Sequence, residues 1–341
     1  MVQIGAFIPQ GWIGDLSPTL SPVEQFTFAR RIAKKLDTLG FDSGWVFDHF
    51  HPVNSTTPTT QSVFECWTTL AAIAENTTKL RLGQMVTCNS YRQPALLAKI
   101  ASNLDVISNG RLEFGIGAGW YQEEYLGYGY PFPKDSVRIG MLGEAVQIIL
   151  KLWSEDSVNF DGKYYRLKGG FNSPKPVQRP HPPITIGGEG PKLTLRLVAQ
   201  YADRSNVFGR PEDIKEKLAI LRKHCLDVGR PFEQIQNSTN PSLVIGEDEK
   251  EVEELLKKSY AIYRKPDETQ EQYSKRERAG GRVGTPEEIL PTLEHYVSAG
   301  ISYFVFNFRF ALHYEDPDRP LMLFARTLMP TLRKMEAVIP S

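Results

Sequence analysis

Short apolar runs suited to strands alternate with longer stretches of helical periodicity along nearly the whole chain. Residues 3–8 read as a first strand, and the turn-rich loop 9–14 leads to Ser21, where a helix opens with Pro22 at its first position and Glu24 three residues past the cap. Phe28, Ile32, Leu36 and Leu39 form its apolar stripe, and Gly40 ends it. Trp45-Val46-Phe47 reads as a strand buried on both faces, after which the chain turns abruptly polar at Asp48-His49. The same rhythm predicts a helix over 64–75, a strand over 80–86, a helix from Pro94 closed by Asn109-Gly110, a strand over 111–117 and a helix over 137–153. It resumes with strands over 184–186, 204–208 and 242–245, separated by helices over 191–201 and 211–228. A capping box at Thr285, Pro286 and Glu288 opens another helix, a strand covers 303–308, and a helix over 321–337 finishes the count. Eight strand-helix units are the signature of an α/β fold closed as a parallel (βα)8 TIM barrel with loop insertions.

Three segments break the rhythm and read as insertions into one domain spanning 1–341. They are an aromatic, glycine-rich stretch at about 121–136, a segment 158–183 with an Asp161-Gly162 hairpin turn and a proline-rich connector, and a charged segment 246–282. The second is expected to cover the barrel. The third reads as an exposed, solvated helix, with a mobile lid as the alternative.

Composition narrows the partners. Forty basic and forty acidic residues cancel, so no net field draws nucleic acid, anionic lipid or polyacidic substrates, and a small molecule is the expected partner. Cys66, Cys88 and Cys225 are far apart and form no Cys-x-x-Cys pair, which argues against a metal site, a redox dithiol or a secreted disulfide framework. No leader pattern and no apolar run of membrane-spanning length is seen, so a soluble, cytoplasmic protein is expected.

The candidate chemistry sits at strand ends, where the loops of such a barrel converge. Asp48 and His49 put a carboxylate and an imidazole at one tip; general acid-base work and a plain cap with a packed ring are both open on these residues alone. His51 is a second titratable group nearby, ranked below His49. The turn Gly187-Gly188-Glu189-Gly190-Pro191 joins a strand to a helix start, a geometry that suits a phosphate, with Lys192 at hand and Glu189 an awkward neighbour unless it points away. A tight connection without ligand is the alternative. Gly115, Gly117 and Gly119 fail the dinucleotide pattern; a flat ring lying against the backbone, with Trp120 as a wall, explains them, and close packing is the alternative.

Taken together, Gly44 to Phe50, Leu82 to Thr87, Tyr91 to Lys99, Leu104 to Trp120, Gly187 to Pro191 and Gly284 to Glu288 resemble, in order and spacing, the bacterial luciferase-like oxidoreductases. The resemblance covers nearly the whole chain and is strongest to the branch that uses the deazaflavin coenzyme F420. It implies a homodimeric barrel with a deazaflavin, or alternatively FMN, in the C-terminal mouth. It places His49 beside the reactive ring carbon as proton donor or acceptor and Asp48 against the ring. It implies a non-prolyl cis peptide between Met85 and Val86 in a bulge behind the ring, with Thr87 and Cys88 also at the cofactor. The phosphate would lie on Gly187, Gly188, Glu189, Gly190 and Pro191, and Gly117, Gly119 and Trp120 would line the site.

One departure matters. In the sugar-phosphate dehydrogenases of this family a glutamate follows the Gly-x-Gly-x-Gly run, and here Trp120 stands there, which makes glucose 6-phosphate a poor substrate guess. The expected function is hydride transfer between coenzyme F420 and a small organic substrate. An FMN-dependent monooxygenase is the first alternative, and a flavin-binding barrel without turnover the second.

Overall fold

A computed structural model of the chain describes residues 1–52, 61–309 and 314–338. Strands β1 (Gln3–Phe7), β2 (Ser43–Val46), β3 (Arg81–Gln84), β4 (Leu112–Gly117), β5 (Ile184–Gly187), β6 (Arg204–Asn206), β7 (Gln236–Thr239) and β8 (Tyr303–Phe308) pair in that order, all parallel. β8 returns to β1 with Tyr303 opposite Gln3, closing the (βα)8 barrel. Helices α1 (Pro22–Leu39), α2 (Cys66–Asn76), α3 (Pro94–Ile107), α4 (Asp135–Ser154), α5 (Thr194–Tyr201), α6 (Pro211–Val228), α7 (Pro286–Ser298) and α8 (Arg319–Thr327) surround it. None of the helices among the described residues is long and apolar enough to cross a membrane.

The caps act as written in the sequence. Ser21 Oγ accepts from the Glu24 N–H while the Glu24 carboxylate accepts from the Ser21 N–H, and Gly40 closes α1 in the left-handed region at φ 81°. Thr285 and Glu288 repeat the box on α7. The buried stripes of the helices pack onto the outward strand side chains Ile4, Ala6, Val46, Leu82, Phe114 and Ile186 in one continuous core. Inside the barrel Trp45 is fully buried beside Tyr303, and Gly5 and Gly83 leave it room: a Cβ on either would lie within 3 Å of the indole.

Four expectations change. The seventh barrel strand is Gln236–Thr239, and Ser242–Ile245 continues it past Pro241 to pair with the far end of β8 and with Val283–Gly284. Its polar residues are satisfied by neighbouring strands, Asn237 by the Ser205 hydroxyl and Ser238 by the Ser205 carbonyl, so it lacks an apolar signature. The last helix stops at Thr327 and restarts as Met329–Leu332, because Pro330 has no N–H to continue the ladder. The hairpin Val158–Asp161 with Arg166–Gly170 lies on the flank of α4, where Glu144 accepts from the N–H groups of 163, 164 and 165, and none of its residues borders the mouth. The connection follows a helix that runs back from the mouth, so it starts at the opposite end of the barrel. Segment 246–282 is largely exposed, as expected, but forms two helices whose inner stripe is buried: Val252, Leu255, Leu256 and Tyr273, from Glu249–Tyr263 and Gln270–Arg278, form a second small core with Val244, Val283 and Tyr314.

Candidate active site

At the C-terminal mouth of the barrel lies a cavity of about 650 Å3. Asp48 and His49 after β2, Met85, Val86, Thr87 and Cys88 after β3, Gly117, Gly119 and Trp120 after β4, and Gly187, Gly188, Glu189 and Gly190 after β5 all border it. Pro191 does not; its carbonyl faces His224 Nε2 at 2.7 Å. His51 does not border the cavity either, and its ring lies 5.3 Å from that of Tyr121.

Asp48 is a clamp. Its Oδ2 accepts from Arg92 Nη1 at 2.6 Å, Thr87 Oγ1 at 2.5 Å and the Cys88 N–H at 2.9 Å, and its Oδ1 from Arg92 Nη2 at 3.1 Å and Cys66 Sγ at 3.2 Å. Burial pushes the Asp48 carboxyl up, but the Arg92 charge and these hydrogen bonds outweigh it and hold the group below its ordinary value. The carboxylate is fully engaged, so what it gives the site is the position of the chain after β3. Asp48, Glu65 and Cys66 offer ligand atoms within 4.8 Å of one another, but the cation among them is Arg92, whose Nη2 also donates to Glu65 Oε1 at 2.7 Å. Burial pushes the Cys66 thiol up, and the Cys88 thiol up to about 12, so neither is a nucleophile near neutral pH.

His49 is held from one side by a residue the sequence reading did not single out. Its Nδ1 lies 2.9 Å from Oε2 of Glu124, a fully buried carboxylate on the short helix Gln122–Gly127. Tyr91 Oη donates to the same oxygen at 2.6 Å, and the Phe50 N–H to Oε1 at 2.6 Å. Burial raises the Glu124 carboxyl, and the contacts from His49, Tyr91 and Phe50 more than reverse it, so the group is ionised at neutral pH. An ionised carboxylate only accepts; Nδ1 therefore carries the hydrogen and Nε2 is the nitrogen left for chemistry. The Trp12 indole lies parallel to the imidazole, 4.2 Å between centroids and 3° between planes, and fixes its plane. Insertion 121–136 supplies Glu124 because its Tyr125, Tyr130 and Phe132 pack onto Tyr91 and Cys88 at the mouth.

The Met85–Val86 peptide is cis. Val86 projects between β4 and β5: a Cβ on Gly117 or Gly187 would come within 2.7 Å of its Cγ2. These glycines therefore answer to close packing of the bulge, while Gly119, at φ +77° and against Tyr125 Oη and Cys88 Sγ, answers to both backbone conformation and space.

The turn after β5 leaves backbone donors unpaired. Helix α5 begins at Thr194, three residues later than expected, because Pro191 to Leu193 form a turn first. The backbone N–H groups of Gly188, Glu189, Gly190, Lys192 and Leu193 have no acceptor among the described residues. Glu189 does not oppose an anion here, since its carboxylate takes Lys217 Nζ at 2.6 Å and the Phe208 N–H at 2.9 Å. Unpaired donors at a helix start fit a phosphate, and the bulge braced by Gly117 and Gly187 fits a flat ring beside it. Four further residues on the cavity wall, Asn206, Asn240, Ser242 and Asn307, were missed by sequence reasoning; such residues carry no signal without their place on strand ends.

The chain matches the family described as luciferase-like monooxygenase over residues 3–303. It is 28% identical over 334 residues to an F420-dependent glucose-6-phosphate dehydrogenase of Mycobacterium avium, covering 89% of this chain and 93% of that one. Among solved structures, an F420-dependent secondary alcohol dehydrogenase bound to an F420-acetone adduct superposes with a TM-score of 0.75 at 23% identity, over 98% of this chain and 99% of that one. The oxygenating constituent of a type II Baeyer-Villiger monooxygenase from Pseudomonas putida, in complex with FMN, superposes with a TM-score of 0.74 at 18% identity, over 96% and 98%. At these identities the structural likeness establishes the fold, and the family match spans most of the barrel that carries the mouth just described. The chain belongs to the luciferase-like monooxygenase family.

Proposed function

We propose that this protein is an oxidoreductase that uses coenzyme F420 to move a hydride to or from a small organic substrate. The reading is carried by one convergence: the unpaired N–H groups of Gly188, Glu189 and Gly190 in the turn after β5, the braced Val86 bulge and His49 all belong to residues of one cavity. The N–H groups would hold the cofactor phosphate and Val86 would back its ring. Once bound, the deazaflavin supplies the hydride chemistry. His49 Nε2 would take or give the accompanying proton, with Glu124 fixing the tautomer and Asp48 and Arg92 holding the backbone under the ring. The F420-dependent dehydrogenase among its relatives supports the choice of cofactor. A cytoplasmic homodimer belongs to the same proposal, and sedimentation equilibrium reads the dimer.

The test is a titration of the purified protein with F420 and, in parallel, FMN, followed by tryptophan fluorescence. Tight F420 binding with weak FMN binding supports the proposal, and preference for FMN moves the reading to an oxygen-using flavin enzyme. In a substrate screen with F420 bound, His49→Ala is expected to lower kcat by about 10²- to 10⁴-fold while leaving F420 affinity within a few-fold.

A further inference from the structure

Among the described residues, the cavity presents no unpaired charge to a substrate. Its ionisable side chains each have a partner inside the protein: Asp48 has Arg92, His49 has Glu124, and Glu189 has Lys217. The cation on its wall is Arg138, and each of its nitrogens is engaged, Nε by the Gly119 carbonyl, Nη1 by the Pro133 carbonyl and Nη2 by Asp135. Among the described residues no other Lys or Arg borders the cavity.

What the walls do offer is flat apolar surface and neutral hydrogen-bonding groups. Trp12 and Phe47 lie 4.3 Å apart beside His49, Trp120 stacks on Tyr121 at the rim, and Phe208 stands exposed on the wall after β6. The Asn307 amide and the Ser242 hydroxyl also border the cavity, with no hydrogen-bond partner among the described residues.

We propose, building on the oxidoreductase reading, that the substrate is an uncharged, ring-bearing alcohol or ketone, and that the site discriminates against phosphorylated and carboxylated compounds. With the cofactor phosphate on the turn after β5, an anionic substituent would leave water for walls that, among the described residues, hold no unpaired cation to receive it, and that loss is not repaid. A neutral ring loses little by leaving water and gains the aromatic wall, while Asn307 and Ser242 accept or donate to its oxygen or to a polar edge. The sugar phosphate named for the mycobacterial relative falls on the rejected side of this division.

The experiment compares two ketones of the same frame, 4-phenylcyclohexanone and 4-(4-oxocyclohexyl)benzoate, titrated against the full chain with and without F420, following the fluorescence of Trp12 and Trp120. The neutral ketone is expected to bind at least ten-fold more tightly than the carboxylate, and Asn307→Lys is expected to narrow or reverse that ratio. Equal or tighter binding of the carboxylate by the native chain, or binding of neither, overturns the proposal. Failure of F420 to bind overturns the oxidoreductase reading instead, and the ketones are then compared with inorganic phosphate filling the turn after β5, whose unpaired N–H groups would otherwise take the carboxylate.

Discussion

His49 presents Nε2 to the cavity because Nδ1 is occupied by Glu124, and that single contact decides what the imidazole can do. With Glu124 ionised, the neutral ring is fixed with its hydrogen on Nδ1, so Nε2 is ready to accept a proton and, once charged, to return it. Glutamine at 124 keeps the size but removes the charge, and its NH2 group, a donor, replaces one of the two oxygens that now accept from the Phe50 N–H and from the Tyr91 hydroxyl and imidazole. Glu124→Gln is therefore expected to lower kcat by on the order of 10²-fold, to leave F420 affinity within about two-fold, and to move the pH profile of kcat/KM. A fall in F420 affinity with an unmoved profile would make Glu124 a packing residue. The sequence contains the neighbouring pair Glu123 and Glu124, and nothing in it tells them apart. Only the fold buries the second and leaves the first exposed.

At the scale of elements, the site is positioned by a bulge and a loop. The bulge after β3 fits because β4 and β5 are glycine where Val86 arrives, and Gly117 is the cleaner probe, since the Val86 Cγ2 at 2.7 Å is the one close atom a Cβ there would meet. Gly117→Ala is expected to destabilise the chain by about 1–3 kcal/mol through overpacking. In a Val86→Ala background the same change should cost markedly less, because the obstructing methyl is gone. Additive losses in urea unfolding would mean that the glycine serves something other than the bulge. The loop that brings Trp12 to His49 is tied by Asp15, whose carboxylate accepts from the Gly11 N–H at 2.6 Å and the Gln10 N–H at 3.2 Å. Burial pushes the Asp15 carboxyl from 3.8 up to about 6, against those hydrogen bonds. Between those two values the folded chain keeps a proton that the unfolded chain has released, so the contribution of this group to stability falls as pH rises across the window. The stability of Asp15→Asn relative to the native chain is thus expected to climb between pH 4 and 6 and to level off on either side, which thermal unfolding over that pH series measures.

For the molecule as a whole, the sequence was most legible where a boundary is set by local chemistry. The starts at Pro22, Pro94, Pro211 and Pro286 fall where proline at the first position of a helix places them, helped at Ser21 and Thr285 by capping boxes. It was least legible where tertiary partners replace the apolar signal, as in β7, whose Asn237 and Ser238 are answered by Ser205. Segment 246–282 falls between these cases. Its charges are visible in sequence, with Arg278 pairing Glu249 and Glu253, while the apolar stripe of Val252, Leu255 and Leu256 is short enough to pass for a surface helix. What it covers is the extension of β7 beyond the barrel: Tyr314 donates to the Ile245 carbonyl at 2.6 Å, and Val244 and Val283 complete the small core. None of residues 246–282 borders the cavity, so this core and the site should respond separately. Leu256→Ala is expected to cost about 2–5 kcal/mol in unfolding free energy, as for a buried leucine, and to leave F420 affinity and the neutral-to-anionic ketone ratio unchanged. A loss of cofactor affinity beyond a few-fold, at a temperature where the variant is still folded, would show instead that the insertion acts on the mouth through β8, the strand that carries both Asn307 and the pairing with Ser242.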